Sequence, residues 1–425
     1  MIADLMNQVF RGDCAPRVNR GRASAASCGR LLLKICGLNL MLLLSACQAL
    51  LRDPAPNFGP PASLEGFSHI RYYPFELDLA LTPSLNAAFI GETPDCYEVG
   101  ADGNVYYDYL AVSGGGSDGA FGAGLLNGWS KQGDRPRFKF VTGVSTGALI
   151  APFAFLGVDY DKPLKEAYTT VGADRIYIAH SVLSLLWRES LTDNSQFREM
   201  IAHYIDQKML DRIAVENAKG RRLFVLTTDL DREQPVVWDM GAIASSNSPK
   251  RLDLFRQVTL ASASIPGIFP PVLIKVNVAD KVRDELHVDG GVFAQSFFVG
   301  HHIDLRKLAS QSHPERTGKV VHRLYVIRNG RLDPQPRTVE RSLGSISGYA
   351  IDSLLKTSGI NDLYRLYLGD AAGELVLHYI AIPPDYKPST LEEFDQKEMG
   401  LQYELGYKMA VDGIPWRRLP PGYSP

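Results

Sequence analysis

A serine stands between two glycines at Gly143-Val144-Ser145-Thr146-Gly147, a spacing that suits a nucleophile carried on a sharp bend. A hydroxyl attacks an acyl carbon only when a base takes its proton and donors receive the charge that forms on the carbonyl oxygen. The chain offers candidates for both roles. Asp289, followed by Gly290 and Gly291, is a carboxylate that becomes a useful base once desolvation raises its pKa toward working pH. Gly114, Gly115 and Gly116 let backbone N–H groups crowd around an anion with no side chains in the way. Each fragment alone also has a plainer reading: a turn with an inert serine, a turn aspartate that caps its own backbone, or a glycine-rich turn.

The elements around these residues decide between the readings. Residues 138–141 alternate with a lysine and then turn wholly apolar, as a buried strand does, and 145–156 follow as an apolar helix, so Ser145 falls where one hands over to the other. Gly143 and Gly147 leave room for that strand and helix to approach. The helix start directs free N–H groups and its positive dipole end at the hydroxyl. The pattern further predicts strands at 105–112, 223–228, 235–239, 272–276, 287–289 and 320–327, helices at 120–130 and 252–263, and a long amphipathic helix over 195–218. Alternating strands and helices imply a parallel sheet covered on both faces. Beyond 330, residues 338–370 and 396–412 read as helices around one more strand, 375–382.

Rival chemistries fit less well. Gly114, Gly116 and Gly119 satisfy a dinucleotide-binding spacing, but that fold wants an acid at the end of the next strand, which here ends in Val141-Thr142-Gly143. No Gly-Lys-Ser/Thr follows the glycines either, so they form no Walker loop. Asp229, Asp231 and Glu233 alternate as calcium ligands do but lack the rest of a loop, and a charged turn describes them better. The apolar cluster Val182, Leu183, Leu185, Leu186 and Trp187 fits an acyl groove, a lid or core packing. His287, two residues before Asp289 on the same strand face, reads as a core histidine and keeps open a histidine-assisted version of the chemistry. Ala261-Ser262-Ala263-Ser264-Ile265-Pro266 describes a tightly packed helix end from which alone no chemistry follows.

Over 425 residues, 45 basic side chains face 47 acidic ones, with 45% hydrophobic and 10% aromatic residues. That is a globular chain of one large domain or two, without the basic excess that nucleic-acid binding requires. Its N-terminus differs in kind. Arg11, Arg17, Arg20, Arg22 and Arg30 precede an apolar run at 35–44, too short to span a bilayer, and then Leu44-Ser45-Ala46-Cys47. This resembles a bacterial lipobox, which implies a cleaved signal at 1–46 and acyl chains on Cys47. Gln48 at the next position resembles lipoproteins sorted to the outer membrane. Cys96 would be the one thiol left, so no intrachain disulfide and no cysteine metal site follow.

Taken in order, the glycine triplet, G-x-S-x-G, A-S-x-x-x-P and D-G-G resemble the four blocks of the patatin-like phospholipases, over roughly 105–330. The resemblance implies a three-layer α/β/α core with a mainly parallel sheet and a nucleophile elbow. It implies Ser145 as nucleophile, Asp289 as base without a catalytic histidine, and an oxyanion hole from the N–H groups of Gly114, Gly115 and Gly116. Gly119, Gly143, Gly147, Gly290 and Gly291 would support these motifs, with no cofactor or metal. The expected organisation is a signal at 1–46, a lipidated tether and peripheral segment at 47–104, a catalytic domain at 105–330, and a helical extension packed on the core at 331–425. The expected protein is a serine acyl hydrolase of lipid or phospholipid esters, held through Cys47 in a bacterial envelope, at the outer membrane. Two alternatives remain: a histidine-dependent α/β-hydrolase using His301 or His302, and a catalytically silent lipid-binding lipoprotein. One position departs from the family. Asp118 stands where a basic residue is usual, well placed to cap the next helix, and tilts the expectation toward neutral esters.

Overall fold

The computed structural model describes residues 52–59, 62–73, 81–179, 188–299, 304–316, 318–371, 373 and 375–423. Cys47 and the signal segment, the apolar cluster 182–187, and His301 and His302 lie outside the described residues.

Five parallel strands form the middle of the sheet. In chain order they are β1 (Val105–Val112), β2 (Phe140–Val144) and β3 (Arg222–Asp229), then, after three antiparallel strands, β7 (Val320–Arg328) and β8 (Val376–Ala381). The antiparallel strands are β4 (Gln234–Asp239), β5 (Val272–Val278) and β6 (Lys281–Asp289). Across the sheet the order is β8-β7-β1-β2-β3-β4, with the short strand Arg71–Tyr72 pairing β4 at the edge. Every residue of β2 and β3 is buried, which explains why their sequences are near-continuous apolar runs: a parallel strand is covered on both faces. By contrast β5 alternates, with Val272, Ile274 and Val276 inward and Leu273 and Lys275 outward, as suits a strand with one face in water.

Helices cover both faces, giving three layers. On one face α1 (Gly119–Gln132), α2 (Thr146–Leu156) and α6 (Arg251–Ser262) pack over Leu110, Val141 and Val225. On the other, the helix Thr82–Ile90 and residues Leu363 and Leu366 of α7 (Leu343–Ala371) pack over Tyr109, Phe140 and Phe224. The last helix, α8 (Gln396–Val411), lies so close on α1 that a Cβ at Gly124 would sit 1.9 Å from the Tyr403 carbonyl oxygen. Remaining helices relevant to the site are α3 (Asp161–Thr169), α4 (Ser195–Tyr204) and α5 (Gln207–Ala218). Among the described residues no helix is long and apolar enough to cross a membrane.

Three expectations change. The long helix over 195–218 is two helices, because Asp206 leaves helical backbone and its carboxylate accepts the Met209 N–H at 2.7 Å, starting α5 afresh. Residues 331–425 are more than a helical cover, since β8 joins the central sheet in parallel register with β7. Nor is 52–104 only peripheral. Leu85, Ala88 and Phe89 are fully buried, and Glu92 pairs with the buried ammonium of Lys139, which also donates to the Ala88 carbonyl at 2.8 Å. That pairing satisfies a lysine buried just before an otherwise apolar strand.

Strand β3 organises the site through a single shared edge. Along that edge β2 runs parallel and ends with Val144 opposite Leu226, while β6 comes from the other direction and ends with Asp289 opposite Thr227. The residues that follow Val144 and reach Asp289 therefore meet end to end, beside two consecutive residues of one strand.

Candidate active site

The bend at Ser145 is forced. Its backbone has φ 57° and ψ −125°, a left-handed conformation that a non-glycine residue holds only when its surroundings impose it. The glycines on either side allow the imposition. A Cβ at Gly143 would lie 2.4 Å from the Gly147 carbonyl oxygen, and one at Gly147 would lie 2.2 Å from that of Val112. In the same way Gly119 abuts Thr146, Gly290 abuts Leu226, and Gly291 abuts Gln295.

At the top of the bend the Ser145 hydroxyl donates to Asp289 Oδ2 at 2.6 Å. The other carboxylate oxygen, Oδ1, accepts the Gly291 N–H at 2.6 Å. Both side chains are buried. Burial pushes the Asp289 carboxyl up to about 7, against the downward pull of the Ser145 and Gly291 hydrogen bonds. A carboxylate with that affinity for protons is matched to taking one from a hydroxyl near neutrality.

The helix end around Ser262 holds the two partners in register, a task its sequence alone did not disclose. Ser262 Oγ accepts the Ser145 N–H at 3.0 Å and donates to the Leu226 carbonyl at 2.6 Å. Two residues on, the Ser264 carbonyl accepts the Asp289 N–H at 2.9 Å. Thr228 Oγ1 donates to the Asp289 carbonyl at 3.0 Å. Nucleophile and carboxylate are thus each tied by their backbones to α6 or the turn after it.

The glycine loop requires one correction. The Gly114 N–H donates to the Gln295 carbonyl at 3.0 Å, so it is not open to an oxyanion. Gly114 acts instead as a spacer, since a Cβ there would be 3.2 Å from that of Ser145 and 2.9 Å from Gln295 Oε1. Among the described residues the N–H groups of Gly115 and Gly116 have no acceptor and so remain open to one. The end of β7 braces the loop. Arg328 Nη1 donates to the Gly114 carbonyl at 2.8 Å, and Asn329 Nδ2 donates to the Ser113 carbonyl at 2.9 Å. Gln295, Arg328 and Asn329 carried no motif in the sequence. Their one signal was positional: β7 lies beside β1 in parallel, so its C-terminal end arrives at the same sheet edge as the loop, where α/β folds place their sites.

Asp118 also behaves differently from expectation. It occupies the N-cap position of α1 but makes no capping bond. Its Oδ1 instead accepts from Gln402 Nε2 on α8 at 2.8 Å, and burial holds its carboxyl above the usual range.

An apolar cavity opens directly at the nucleophile. Ser145, Thr146 and Gly116 form its polar end, and the walls come from side chains such as Leu149, Phe153, Met200, Ile201, Ile265 and Phe269, on α2, α4 and the turn after α6. Such walls suit an acyl chain whose carbonyl lies at the serine.

His287 does not touch Ser145. Its Nδ1 meets Thr227 Oγ1 at 3.0 Å and its Nε2 meets Glu285 at 3.3 Å. With Asp229 these two form the one buried group of metal-ligating types among the described residues, their ligating atoms within 4.8 Å of one another. The group is largely engaged already, because Glu285 also pairs with Arg71 and only Asp229 Oδ2 lacks a partner.

The sequence model of the patatin-like phospholipases matches residues 110–298, a span that takes in the glycine loop, Ser145 and Asp289. Comparison with curated proteins finds no match. Among solved structures the chain is similar to VipD from Legionella pneumophila, with a TM-score of 0.37 and 12% identity, covering 74% of this chain and 69% of that one. The matched residues lie on a mostly parallel sheet flanked by helices.

Proposed function

We propose that this chain, with its patatin-like domain over 110–298, hydrolyses lipid acyl esters through a Ser145–Asp289 dyad. As the Ser145 oxygen bonds to the ester carbon, Asp289 takes the hydroxyl proton and the Gly115 and Gly116 N–H groups receive the charge on the former carbonyl oxygen. The tetrahedral species collapses, the bond to the alcohol breaks, and Asp289 returns the proton to the departing oxygen. Water then attacks the acyl-serine, giving a proton to Asp289; the bond between the Ser145 oxygen and the acyl carbon breaks, Asp289 returns that proton to the serine oxygen, and the fatty acid leaves. The observation that carries this reading is the 2.6 Å hydrogen bond from Ser145 to a buried Asp289 at the mouth of an apolar cavity. The nearest histidine in sequence, His287, has its ring occupied elsewhere, which favours the dyad over a histidine-dependent hydrolase.

The reading is tested with a fluorophosphonate probe on protein lacking the first 47 residues, followed by peptide mass spectrometry. The expected adduct is on Ser145, lost in Ser145→Ala and prevented by excess short-chain ester. Absence of that adduct, or equal fatty-acid release by wild type and Ser145→Ala, would remove the proposal.

We further infer from the run Leu44-Ser45-Ala46-Cys47 that the mature protein is held at a membrane of the bacterial envelope by acyl chains on Cys47, which together bury enough CH₂ groups for stable attachment. Expressed in a bacterium fed radiolabelled palmitate, the full chain is expected to take up label and sediment with membranes. Cys47→Ser should do neither, and labelling of that variant would refute the assignment.

A further inference from the structure

The first three turns of α7 present an apolar row to water. Leu343, Ile346, Ala350 and Leu354 recur at helical spacing and so share one face. Leu343 is 86% exposed, Ile346 54% and Leu354 69%. A surface helix ordinarily turns polar residues outward, and single exposed leucines are commonplace where a continuous row is not. Between Leu343 and Leu354 the one charged side chain is Asp352, which lies across the helix from the row and pairs with Arg337 at 3.6 Å. Farther along, the same face turns polar at Thr357, Asn361 and Arg365, before a lone exposed leucine, Leu368.

This half of the helix stands beyond the sheet edge that carries the site. Because β8 runs parallel to β7, α7 must return the chain from the C-terminal ends of the strands to their N-terminal ends. It meets the loops at that edge through Gly359, which lies against Arg328, and Asp362, whose carboxylate accepts the Gln295 N–H at 2.7 Å. From Leu363 onward it lies on the sheet. The part before Gly359 is therefore directed outward, about 24 Å of helix along its axis. On its inner side Leu355 packs with Ile268 and Phe269, and Phe269 is a wall of the acyl cavity.

The N-terminal part of the chain enters at the same edge. Arg52 pairs with Asp231, just past the end of β3, and the Ala55 N–H bonds to the Asp284 carbonyl at 2.8 Å. Asp284 belongs to the part of β6 that runs on beyond β3, whose last residue, Asp229, pairs with His287. From Cys47 to Arg52 the chain can reach at most ~18 Å. Acyl chains on Cys47 would thus hold a bilayer close to this edge, with α7 on the β7 and β8 flank of the site and the tether on the β3 and β6 flank.

We propose that the first half of α7 docks on a lipid bilayer, its row of Leu343, Ile346, Ala350 and Leu354 entering the interface and the catalytic edge of the sheet turned toward the lipid. Apolar side chains that leave water for the acyl boundary of a bilayer gain the free energy that their exposure in the free protein withholds. The position of the tether ties this face to a bilayer rather than to a protein partner, and that part of the argument rests on the proposed acylation of Cys47. Contact of α7 with lipid does not require it.

The test adds the full chain, purified in detergent, to vesicles of phosphatidylethanolamine and phosphatidylglycerol, with and without brominated acyl chains. Leu343→Trp is expected to add a tryptophan signal to that of wild type which brominated lipid quenches. Val158→Trp is the control, because Val158 is 68% exposed but follows the far end of α2, at the opposite edge of the sheet; its added signal should persist. Quenching at both positions, at neither, or at Val158 alone would overturn the docking. This readout needs no turnover, so it decides the docking even if wild type cleaves no ester and the hydrolase reading falls. Turnover checks it independently. Ile346→Glu and Leu354→Glu should each lower kcat/KM for phosphatidylglycerol in vesicles about tenfold, the size expected when one aliphatic side chain is no longer buried, and leave a soluble short-chain ester cleaved as by wild type. An unchanged ratio of the two activities, or equal loss of both, counts against the proposal. So does a wild-type dimer in sedimentation that Ile346→Glu dissociates, which would assign the row to a second copy of the chain.

Discussion

Asp289→Asn is expected to lower kcat by about 10³-fold and, in the same molecule, to raise stability above neutral pH. Removing a general base typically costs 10²–10⁴-fold, and asparagine keeps the shape of the group without its affinity for a proton. The stability effect follows from the same burial. Asp289 titrates near 7 in the folded protein and near 4 in an unfolded chain. A carboxyl whose folded pKa is raised gives stability that is fully present below its unfolded pKa and is lost as pH rises through the folded value. Wild type therefore loses stability between about pH 4 and pH 7, on the order of 4 kcal/mol for a shift of roughly three units. The variant does not. Urea unfolding of both proteins at pH 4 and pH 8 reads the difference: the gap should open in favour of Asp289→Asn at pH 8 and shrink at pH 4. Wild-type kcat/KM should fall on the acid side with a midpoint near 7. A variant that is inactive yet shows no pH-dependent gain would mean that Asp289 is not the buried, proton-loving group described here.

Gly115→Ala should lower kcat by about 10²–10³-fold, the usual cost of losing an oxyanion donor. A Cβ at this position would lie 1.9 Å from the Asn329 carbonyl oxygen and 2.8 Å from the Asn329 Cβ. Asn329 cannot easily yield, because its N–H and its side-chain amide are both bonded to Ser113, at 2.8 and 2.9 Å. The loop must move instead, taking the Gly115 and Gly116 N–H groups with it. KM should change less than kcat, since the acyl cavity is walled mainly by α2, α4 and the turn after α6. Gly400→Ala provides the contrast, for nothing lies within 4 Å of a Cβ there, and wild-type kinetics are expected. Unchanged kcat in Gly115→Ala would move the oxyanion site away from this loop.

Much of the fold was legible because its strands are long, apolar and punctuated. The buried runs of β1, β2, β3 and β7 announce a parallel sheet, since only strands covered on both faces lack polar alternation. The glycine pairs around Ser145 and after Asp289 were legible for a related reason: backbone passes too close for a Cβ, and only glycine permits that. Sequence reading failed where a contact depends on a partner far along the chain. Nothing local says that Asp118 reaches Gln402 or that Gln295 takes the Gly114 N–H.

By itself, then, the sequence determined the residue types at the site, their order, and the strand-to-helix bend that must carry Ser145, because these are consequences of local backbone geometry. It could not determine that Asp289 arrives opposite Thr227, one residue past the Val144–Leu226 pair, or that Arg328 faces the loop 214 positions before it. Those are matters of strand register and of which strand ends share a sheet edge. Only the assembled sheet fixes them, because the hydrogen bonds that set register join segments that the chain itself keeps far apart.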